Sequence, residues 1–526
     1  MRAEDMLLFV AINSRYIHTN IAVRYLYHLC KDIYPCQFLE FNINQDLNDV
    51  AFEILKRKPR YVGISTYIWN SLFVRRLIEV IKKTIKDVKI ILGGPEVYFD
   101  TLEDWRYADF IVKGEGEPFF LEFCRSLSEG REFLLKGYPY FDLKDLPFPY
   151  RDEKIDQNKI YYYESSRGCP FRCSYCLSSL DRQVRFSPLE KVFDEIRVLF
   201  DAQVKLLKFV DRTFNVNKER AIKIIEFAKR YSKSTQVHLE IEPSLLDEDL
   251  IEALNTSKEG LFRLEIGIQS FKLDTLKAID RDFDMERIDK NIKKLIEKNR
   301  CILHLDLIAG LPYEDFKEFK RSLDKTLLYF ANEVQLGFLK MLKGTRIRDE
   351  ARLYDYEYLS FPPYEVISNR FLSYEDIYRL KHMEALIERL YNKRTLFWTL
   401  RYIFRRFSPS EFFERLSYEI DLKKDIREIL DELYRYFVRY NLIEDRNILK
   451  NLFRYDILKM YPEEYLPSEL KYSQEEKEKI NTYRKANARS IPRNSRVGLF
   501  DFDVEKFISN GSLEGGGFTL LFPNTL

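Results

Sequence analysis

No stretch of about 18 uninterrupted apolar residues occurs in the 526-residue chain, so no membrane-spanning helix is expected. The first apolar run, Met6–Ile12, is short and follows Glu4 and Asp5, which is not the layout of a secretory leader. Neither sign of charge is in excess: 86 basic and 84 acidic residues leave a net charge of +2. That balance provides no global field to draw in nucleic acid or an anionic membrane, and a nucleic-acid partner is disfavoured. Cysteine is sparse, seven residues without a disulfide-framework spacing, which points to a reducing cytoplasm. With hydrophobic residues at 45%, a chain of this length can build two or three cores.

What is present is concentrated in one loop. The run Ser166-Arg-Gly-Cys-Pro-Phe-Arg-Cys-Ser-Tyr-Cys-Leu177 puts Cys169, Cys173 and Cys176 at C-x3-C-x2-C spacing. Gly168 and Pro170 argue against a helix through Cys169, so the run reads as a loop after a strand at Ile160–Ser165. Four thiolates would close the coordination of a four-iron cluster, and three leave one iron open. An open metal position belongs to catalytic sites rather than structural ones. A zinc ribbon is the alternative, but it needs two C-x2-C pairs and only one is present. Cys30, Cys36, Cys124 and Cys301 are scattered; Cys124 and Cys301 read as small buried apolar residues.

This loop, with Tyr175 before its last cysteine, resembles that of the radical S-adenosylmethionine (SAM) enzymes. The resemblance implies that Cys169, Cys173 and Cys176 hold a 4Fe–4S cluster whose open iron binds SAM. An electron supplied through flavodoxin or ferredoxin would then cleave SAM to a 5′-deoxyadenosyl radical.

Around the loop, strands at Ile160–Ser165, Leu206–Val210, Val237–Ile241, Phe262–Ile268, Ile302–Ile308 and Val334–Leu339 alternate with helices. The rhythm predicts an α/β core over residues 153–345, an incomplete parallel (β/α)6 TIM-type barrel with catalytic groups at the carboxyl ends of its strands. Asp211, Asn215, Glu240, Glu242, Glu265, Gln269 and Asp306 mark those ends. Carboxylates in apolar strands are costly unless paired. Either a cationic, hydroxyl-rich ligand or salt bridges to Lys208, Arg263 and Arg281 would pair them, and the set as a whole favours a ligand. Leu239-Glu-Ile-Glu-Pro243, Gly267-Ile-Gln-Ser-Phe271 and Asp306-Leu-Ile-Ala-Gly-Leu-Pro312 are similar to motifs of oxygen-independent coproporphyrinogen oxidase and methylthiotransferase-type radical SAM domains. By that likeness Glu240, Gln269, Arg281 and Asp306 contact SAM or its products. Asp211 stands in the slot of the amino-group-binding element, although the usual G-G-E is absent.

Residues 1–135 alternate buried strands with amphipathic helices, which predicts a doubly wound parallel sheet. Its strand ends carry Asn13–Asn20, Ser65–Tyr67, Gly93-Gly94-Pro95 and Gly114–Glu117; small residues at three of them leave room for a large flat ligand, though ordinary turns look the same. Placed before the barrel, the segment resembles the cobalamin-binding domain of cobalamin-dependent radical SAM methyltransferases. That likeness implies cobalamin contacts at Ser14, Arg15, Asn20, Ser65, Thr66, Gly93 and Gly94. The cobalt-ligating D-x-H-x-x-G element is missing. His18 is the nearest candidate, and a backbone or packing role is favoured for it.

Residues 136–152 read as a linker and 346–526 as a mostly α-helical domain that caps the barrel mouth. Within it Arg394, Arg401, Arg405 and Arg406 interleave with aromatics. Such a face can stack on RNA, but packing of an amphipathic helix is favoured. Lys471–Asn494 reads as mobile and Gly511–Leu526 as a loose tail.

The expected function is a cobalamin-dependent radical SAM enzyme that methylates an unactivated carbon of a small-molecule or peptide substrate. A radical SAM cyclase or rearrangement enzyme and a tRNA methylthiotransferase-like enzyme are alternatives. An iron–sulfur or corrinoid sensor is the non-enzymatic one.

Overall fold

The periodicity translates into two parallel sheets. The computed structural model describes residues 6–134, 137, 139–281, 283–492 and 495–521. Its first sheet joins β1 (Leu7–Asn13), β2 (Cys36–Asn42), β3 (Tyr61–Ser65), β4 (Lys89–Gly93) and β5 (Phe110–Ile111) in the order β2-β1-β3-β4-β5, every pair parallel. β1 is buried along its whole length because both faces are covered. Leu8, Val10 and Ile12 pack under helices Leu47–Leu55 and Ser71–Thr84. Leu7, Phe9 and Ala11 pack under Ile21–Cys30 and Gly116–Glu129. A strand covered on both faces reads as a continuous apolar run, which is what Leu-Leu-Phe-Val-Ala-Ile is. The strand order reverses between β1 and β3, and doubly wound sheets bind ligands in the crevice outside such a switch point.

The second sheet is β6 (Ile160–Tyr163), β7 (Leu206–Phe209), β8 (Gln236–Ile241), β9 (Phe262–Gln269), β10 (Ile302–Ala309) and β11 (Glu333–Phe338), parallel and adjacent in chain order. Helices Lys218–Tyr231, Glu248–Asn255, Met285–Lys298 and Phe316–Leu328 between these strands start on side-chain caps from Asn217, Asp247, Asp284 and Asp315, each accepting a first-turn N–H. Leu264, Ile266, Leu303, Leu305 and Leu307 point outward into the helix layer. The alternate positions Lys208, Glu240, Glu265, His304 and Asp306 face the barrel interior, the period of two expected of strands.

The six strands do not close. Loop 14–19 of the first domain lies along the open edge at β6, where His18 and Ile160 form a parallel bridge. The Ile160 N–H donates to the Ile17 carbonyl at 2.7 Å. An unpaired strand edge is thus covered by the neighbouring domain.

The C-terminal part departs from expectation in three places. Gly515–Leu521 is not loose: it pairs antiparallel with Arg496–Phe502. Lys471–Asn494 contains helix Gln474–Ala486, started by a Ser473–Glu476 capping box. Glycine content and charge hid both, because long-range pairing and caps overrode local composition. Lys136 and Tyr138 of the linker, and residues 493–494 and 522–526, lie outside the described residues. Finally, only the beginning of this part reaches the barrel mouth, where Met341, Ile347, Tyr354, Tyr356 and Val366 form a cluster against Tyr175. The later helices share the core of the barrel's outer layer and its base. No helix among the described residues is long and apolar enough to cross a membrane.

Candidate active site

The cysteine loop is pinned at both ends. Asp211, just past β7, is buried and accepts hydrogen bonds from the Ser165 N–H (2.8 Å), the Ser165 hydroxyl (2.6 Å) and the Ser166 hydroxyl (2.8 Å). Burial still pushes its carboxyl above the usual carboxylate range. Asp211, expected to bind the amino group of SAM, is thus engaged in holding the loop. Gly168 follows with φ +95°, and a Cβ there would stand 2.4 Å from the Gln183 carbonyl oxygen, so only glycine fits. Beyond it, the Cys169 N–H donates to the Asp181 carbonyl at 2.9 Å and the Ser174 N–H to the Ile279 carbonyl at 3.2 Å.

Cys169 and Cys173 are buried, Cys176 half-buried, and all three are free thiols. The Cys169 sulfur lies 3.5 Å from the Thr213 hydroxyl. Arg281 donates through Nη1 to the Cys173 sulfur at 3.5 Å, and through Nη2 to Glu242 and to the Gly267 carbonyl, both at 2.9 Å. Arg281, expected to touch SAM, is thus built into the wall of the cysteine loop. Among the described residues no three cysteine, histidine or acidic side chains converge tightly enough to share one metal ion. The thiolates of a 4Fe–4S cluster each take a separate iron, so they need not meet at a point. Three soft thiols backed by one guanidinium fit that cluster in donor chemistry.

Inside the barrel the carboxylates divide into two kinds. Glu265 accepts from His238 at 2.8 Å and Lys208 at 3.2 Å; burial pushes its pKa up, but these two partners hold it at about 2. Glu333 is likewise paired with Arg263 and His304. Glu240 has Lys208 only at 4.0 Å, and burial raises its carboxyl. Asp306 has a buried Oδ1 without a hydrogen-bond partner, and burial, with Glu265 beside it, pushes its pKa to about 7. The buried Oε1 of Gln269 is also unpartnered, and its backbone sits at φ +68°. Glu240, Gln269 and Asp306 therefore offer unsatisfied acceptors to a cationic, hydroxyl-bearing ligand, which fits SAM.

A cavity of about 410 Å³ lies between the carboxyl ends of the two sheets. Ser65, Gly93 and Gly94 line its first-domain wall. A Cβ at Gly93 would meet only Val112, 3.7 Å away, so the missing side chain leaves open space on this wall for a ligand to approach the backbone. Gly94 has φ +106°, and a Cβ would come 2.5 Å from the Thr66 carbonyl oxygen. Thr66 is fully buried and does not line the cavity. Asn20 is spent capping helix Ile21–Cys30 through the Val23 N–H. Ser14 is half-buried and Arg15 exposed on the loop against β6, so neither faces the cavity. His18 also turns away: its Nδ1 is 2.6 Å from the Tyr162 hydroxyl, and burial together with Arg15 and Lys208 lowers its pKa.

The opposite wall holds the residue that sequence reasoning missed. Arg167 donates to Glu117 at 2.8 Å and to both oxygens of Glu164 at 2.7 and 2.9 Å, and lies 3.1 Å from Glu115. Glu115 and Glu117 belong to the first domain, Glu164 and Arg167 to the second, so one guanidinium clamps the two across the cavity. Its signal was its place, two residues before Cys169.

Family comparisons match residues 7–123 to the B12 binding domain, 163–326 to the radical SAM superfamily and 352–522 to a protein of unknown function, DUF4080. The chain carries a B12-binding domain and a radical SAM domain. Its cofactors are accordingly a 4Fe–4S cluster, SAM and cobalamin. The uncharacterized methyltransferase PH0819 of Pyrococcus horikoshii is 24% identical over 450 residues, covering 79% of this chain and 94% of that protein. The cobalamin-dependent radical SAM methyltransferase TokK of Streptomyces tokunonensis is 24% identical over 308 residues, 51% of this chain but only 45% of TokK. Among solved structures, the cobalamin-dependent SAM radical enzyme OxsB, with aqua-cobalamin and SAM bound, aligns over 86% of this chain and 78% of its own at a TM-score of 0.60 and 14% identity. The radical SAM methyltransferase TsrM from Kitasatospora setae aligns over 68% and 78% at 0.57 and 16%. At such identities the structural likeness is one of fold. In the radical SAM domain the cysteine loop ends on the same cavity that the B12-binding domain floors with glycine.

Proposed function

We propose that this protein is a cobalamin-dependent radical SAM methyltransferase acting on an unactivated carbon of a small-molecule or peptide substrate, with Cys169, Cys173 and Cys176 holding the cluster. One observation carries the reading: Ser65, Gly93 and Gly94 share a single cavity with Ser166, Arg167 and Gly168. When bound, the cluster delivers the electron that cleaves SAM to a 5′-deoxyadenosyl radical, and the corrin carries the methyl group. The chain's own residues do the positioning. Asp211 and Gly168 fix the loop, Arg281 holds Cys173, and Glu240, Gln269 and Asp306 receive the charge and hydroxyls of SAM in the barrel. Ser65, Gly93 and Gly94 seat one face of the corrin. A reducing cytoplasm with a flavodoxin or ferredoxin as electron source suits this chemistry.

The methylthiotransferase reading needs a second cluster in the first domain. Cys30 and Cys124 do hydrogen-bond each other, and Cys36 is near. They lie in the core by the start of β2 and do not line the cavity; the hydrogen bond with Cys124 and then burial drive the Cys30 thiol upward, and burial does so for Cys36, against metal binding. The test is anaerobic reconstitution. The protein is expected to cleave SAM to 5′-deoxyadenosine when reduced, and Cys173→Ala is expected to abolish this. Loading with hydroxocobalamin is expected to leave one corrin per chain by absorbance. Normal cleavage by the variant would overturn the cluster assignment, and no bound corrin would remove methyl transfer.

A further inference from the structure

The amino-terminal ends of the barrel strands, opposite the cysteine loop, border a second and larger cavity. Its volume is about 1160 Å³, and Lys205, Gln236, Arg263 and Glu333 form its barrel side. Arg394, Phe397, Trp398 and Tyr455 of the C-terminal part form the other. A smaller space of about 510 Å³ adjoins it across Trp398 and contains Arg401. β9 is eight residues long, which places this cavity about 25 Å from the cluster loop.

Its charges are unevenly satisfied. Glu333 pairs with Arg263 and His304. Glu505 is held by Lys459 and Tyr455. Asp456 accepts from the Trp398 and Thr399 N–H groups and the Thr399 hydroxyl, and Asp503 caps the Lys506 N–H. The Arg394 and Arg401 guanidiniums make no ion pair and no side-chain hydrogen bond among the described residues; Glu333 and Asp456 act on Arg394 only at longer range. Their only close companions are aromatic: Arg394 lies 3.8 Å over the Phe397 ring and Arg401 5.1 Å over Phe330. Burial lowers the pKa of both guanidiniums, and Arg401 adds to that effect on Arg394. Half-buried guanidiniums left unpaired while every neighbouring acid but the exposed Glu259 is engaged are a site for an incoming anion. Arginine's planar fork matches phosphate. Trp398, half-buried on helix Phe397–Ile403, has the Lys459 ammonium 5.5 Å from its ring centroid and lines both spaces, so a planar group stacked on its ring would lie beside that anion.

We propose that this cavity and the smaller space beside it together bind a nucleotide-like ligand, a phosphate on a planar ring, with Arg394 from the first and Arg401 from the second taking the phosphate and Trp398, which lines both, stacking the ring. The site is separate from the cluster, SAM and corrin sites and does not depend on the reaction proposed above.

The test uses the full-length, cluster-loaded protein with saturating SAM, which fills the adenosine-accepting barrel. ATP and FMN are titrated by calorimetry, with adenosine and inorganic phosphate as half-ligands. At least one nucleotide is expected to bind, at least tenfold tighter than either half. Its binding is expected to shift tryptophan fluorescence in the parent but not in Trp398→Phe. The pair Arg394→Gln and Arg401→Gln is expected to weaken it at least tenfold with SAM cleavage unchanged. Should that pair lower the melting temperature, Arg394→Lys with Arg401→Lys decides: charge is kept, the fork is lost, and affinity is expected to fall at least threefold. Failure of both ATP and FMN to bind, or binding indifferent to the arginine variants, would overturn the proposal.

Discussion

Replacing Arg167 by methionine tests whether the two domains are locked across the cavity. Methionine keeps much of the stem volume and removes the guanidinium. Glu115, Glu117 and Glu164 are only 8–13% exposed, and Arg185 remains to serve Glu115. Glu117 and Glu164 are then left as buried carboxylates without a counter-charge. Breaking a buried pair in this way costs about 3–5 kcal/mol. The local structure relieves that cost by opening at residues 164–168, where the loop meets the first domain. At 1.4 kcal/mol per decade, hydrogen exchange of the backbone amides from Ser165 to Cys169 is expected to speed up by about two to three and a half decades. Mass-spectrometric exchange on a peptide spanning the loop reads this directly, under anaerobic conditions with cluster loaded. Arg167→Lys, which keeps charge but not the fork, is expected to fall between parent and Arg167→Met. If Arg167→Met exchanges within tenfold of the parent and cleaves SAM at the parent rate, the clamp is not what holds the loop.

Three further outcomes are expected. Asp306, with its pKa raised to about 7 by burial and Glu265, is neutral below that pH and ionised above it; SAM affinity is expected to rise with pH by up to about tenfold per unit below 7 and then level off, and Asp306→Asn to flatten the profile in equilibrium binding. Asp211→Asn loses acceptor strength toward Ser165 and Ser166, about 1–3 kcal/mol; iron retention after gel filtration is expected to drop while the KM for SAM stays within about twofold, whereas a large KM rise would restore Asp211 to the SAM site. Gly94→Ala forces a side chain to φ +106° against the Thr66 carbonyl, a strain of about 1–3 kcal/mol; hydroxocobalamin affinity is expected to fall by at least about fivefold with iron content unchanged, measured by absorbance titration.

Much of the fold was legible in the sequence because its signals are local. The strands expected at Leu206–Val210 and Val237–Ile241 fall within one residue of the observed Leu206–Phe209 and Gln236–Ile241, because apolar runs between helical segments are visible in one dimension. The hairpin of Arg496–Phe502 with Gly515–Leu521 was not legible, since its glycines say turn and only the partner strand says sheet. The site divides in the same way. Glu240 and Asp306 were found as acids out of place in apolar strands. Asp211 looked the same in sequence, and its three serine and amide donors come from a segment some 45 residues earlier.

By itself the sequence determined the chemistry that depends on residue type and short spacing. It placed three thiolates in one loop with a fourth coordination position left open, two α/β units in series, and glycines at the end of β4. Only the tertiary structure decided which charges are consumed and which remain free. Glu265 and Asp306 differ because Lys208 and His238 hydrogen-bond one and not the other, and Arg394 differs from Arg263 because Glu333 forms an ion pair only with the second. The physical reason is that a charge's state is set by groups within a few ångströms in space, and those groups come from strands, helices and domains far apart along the chain.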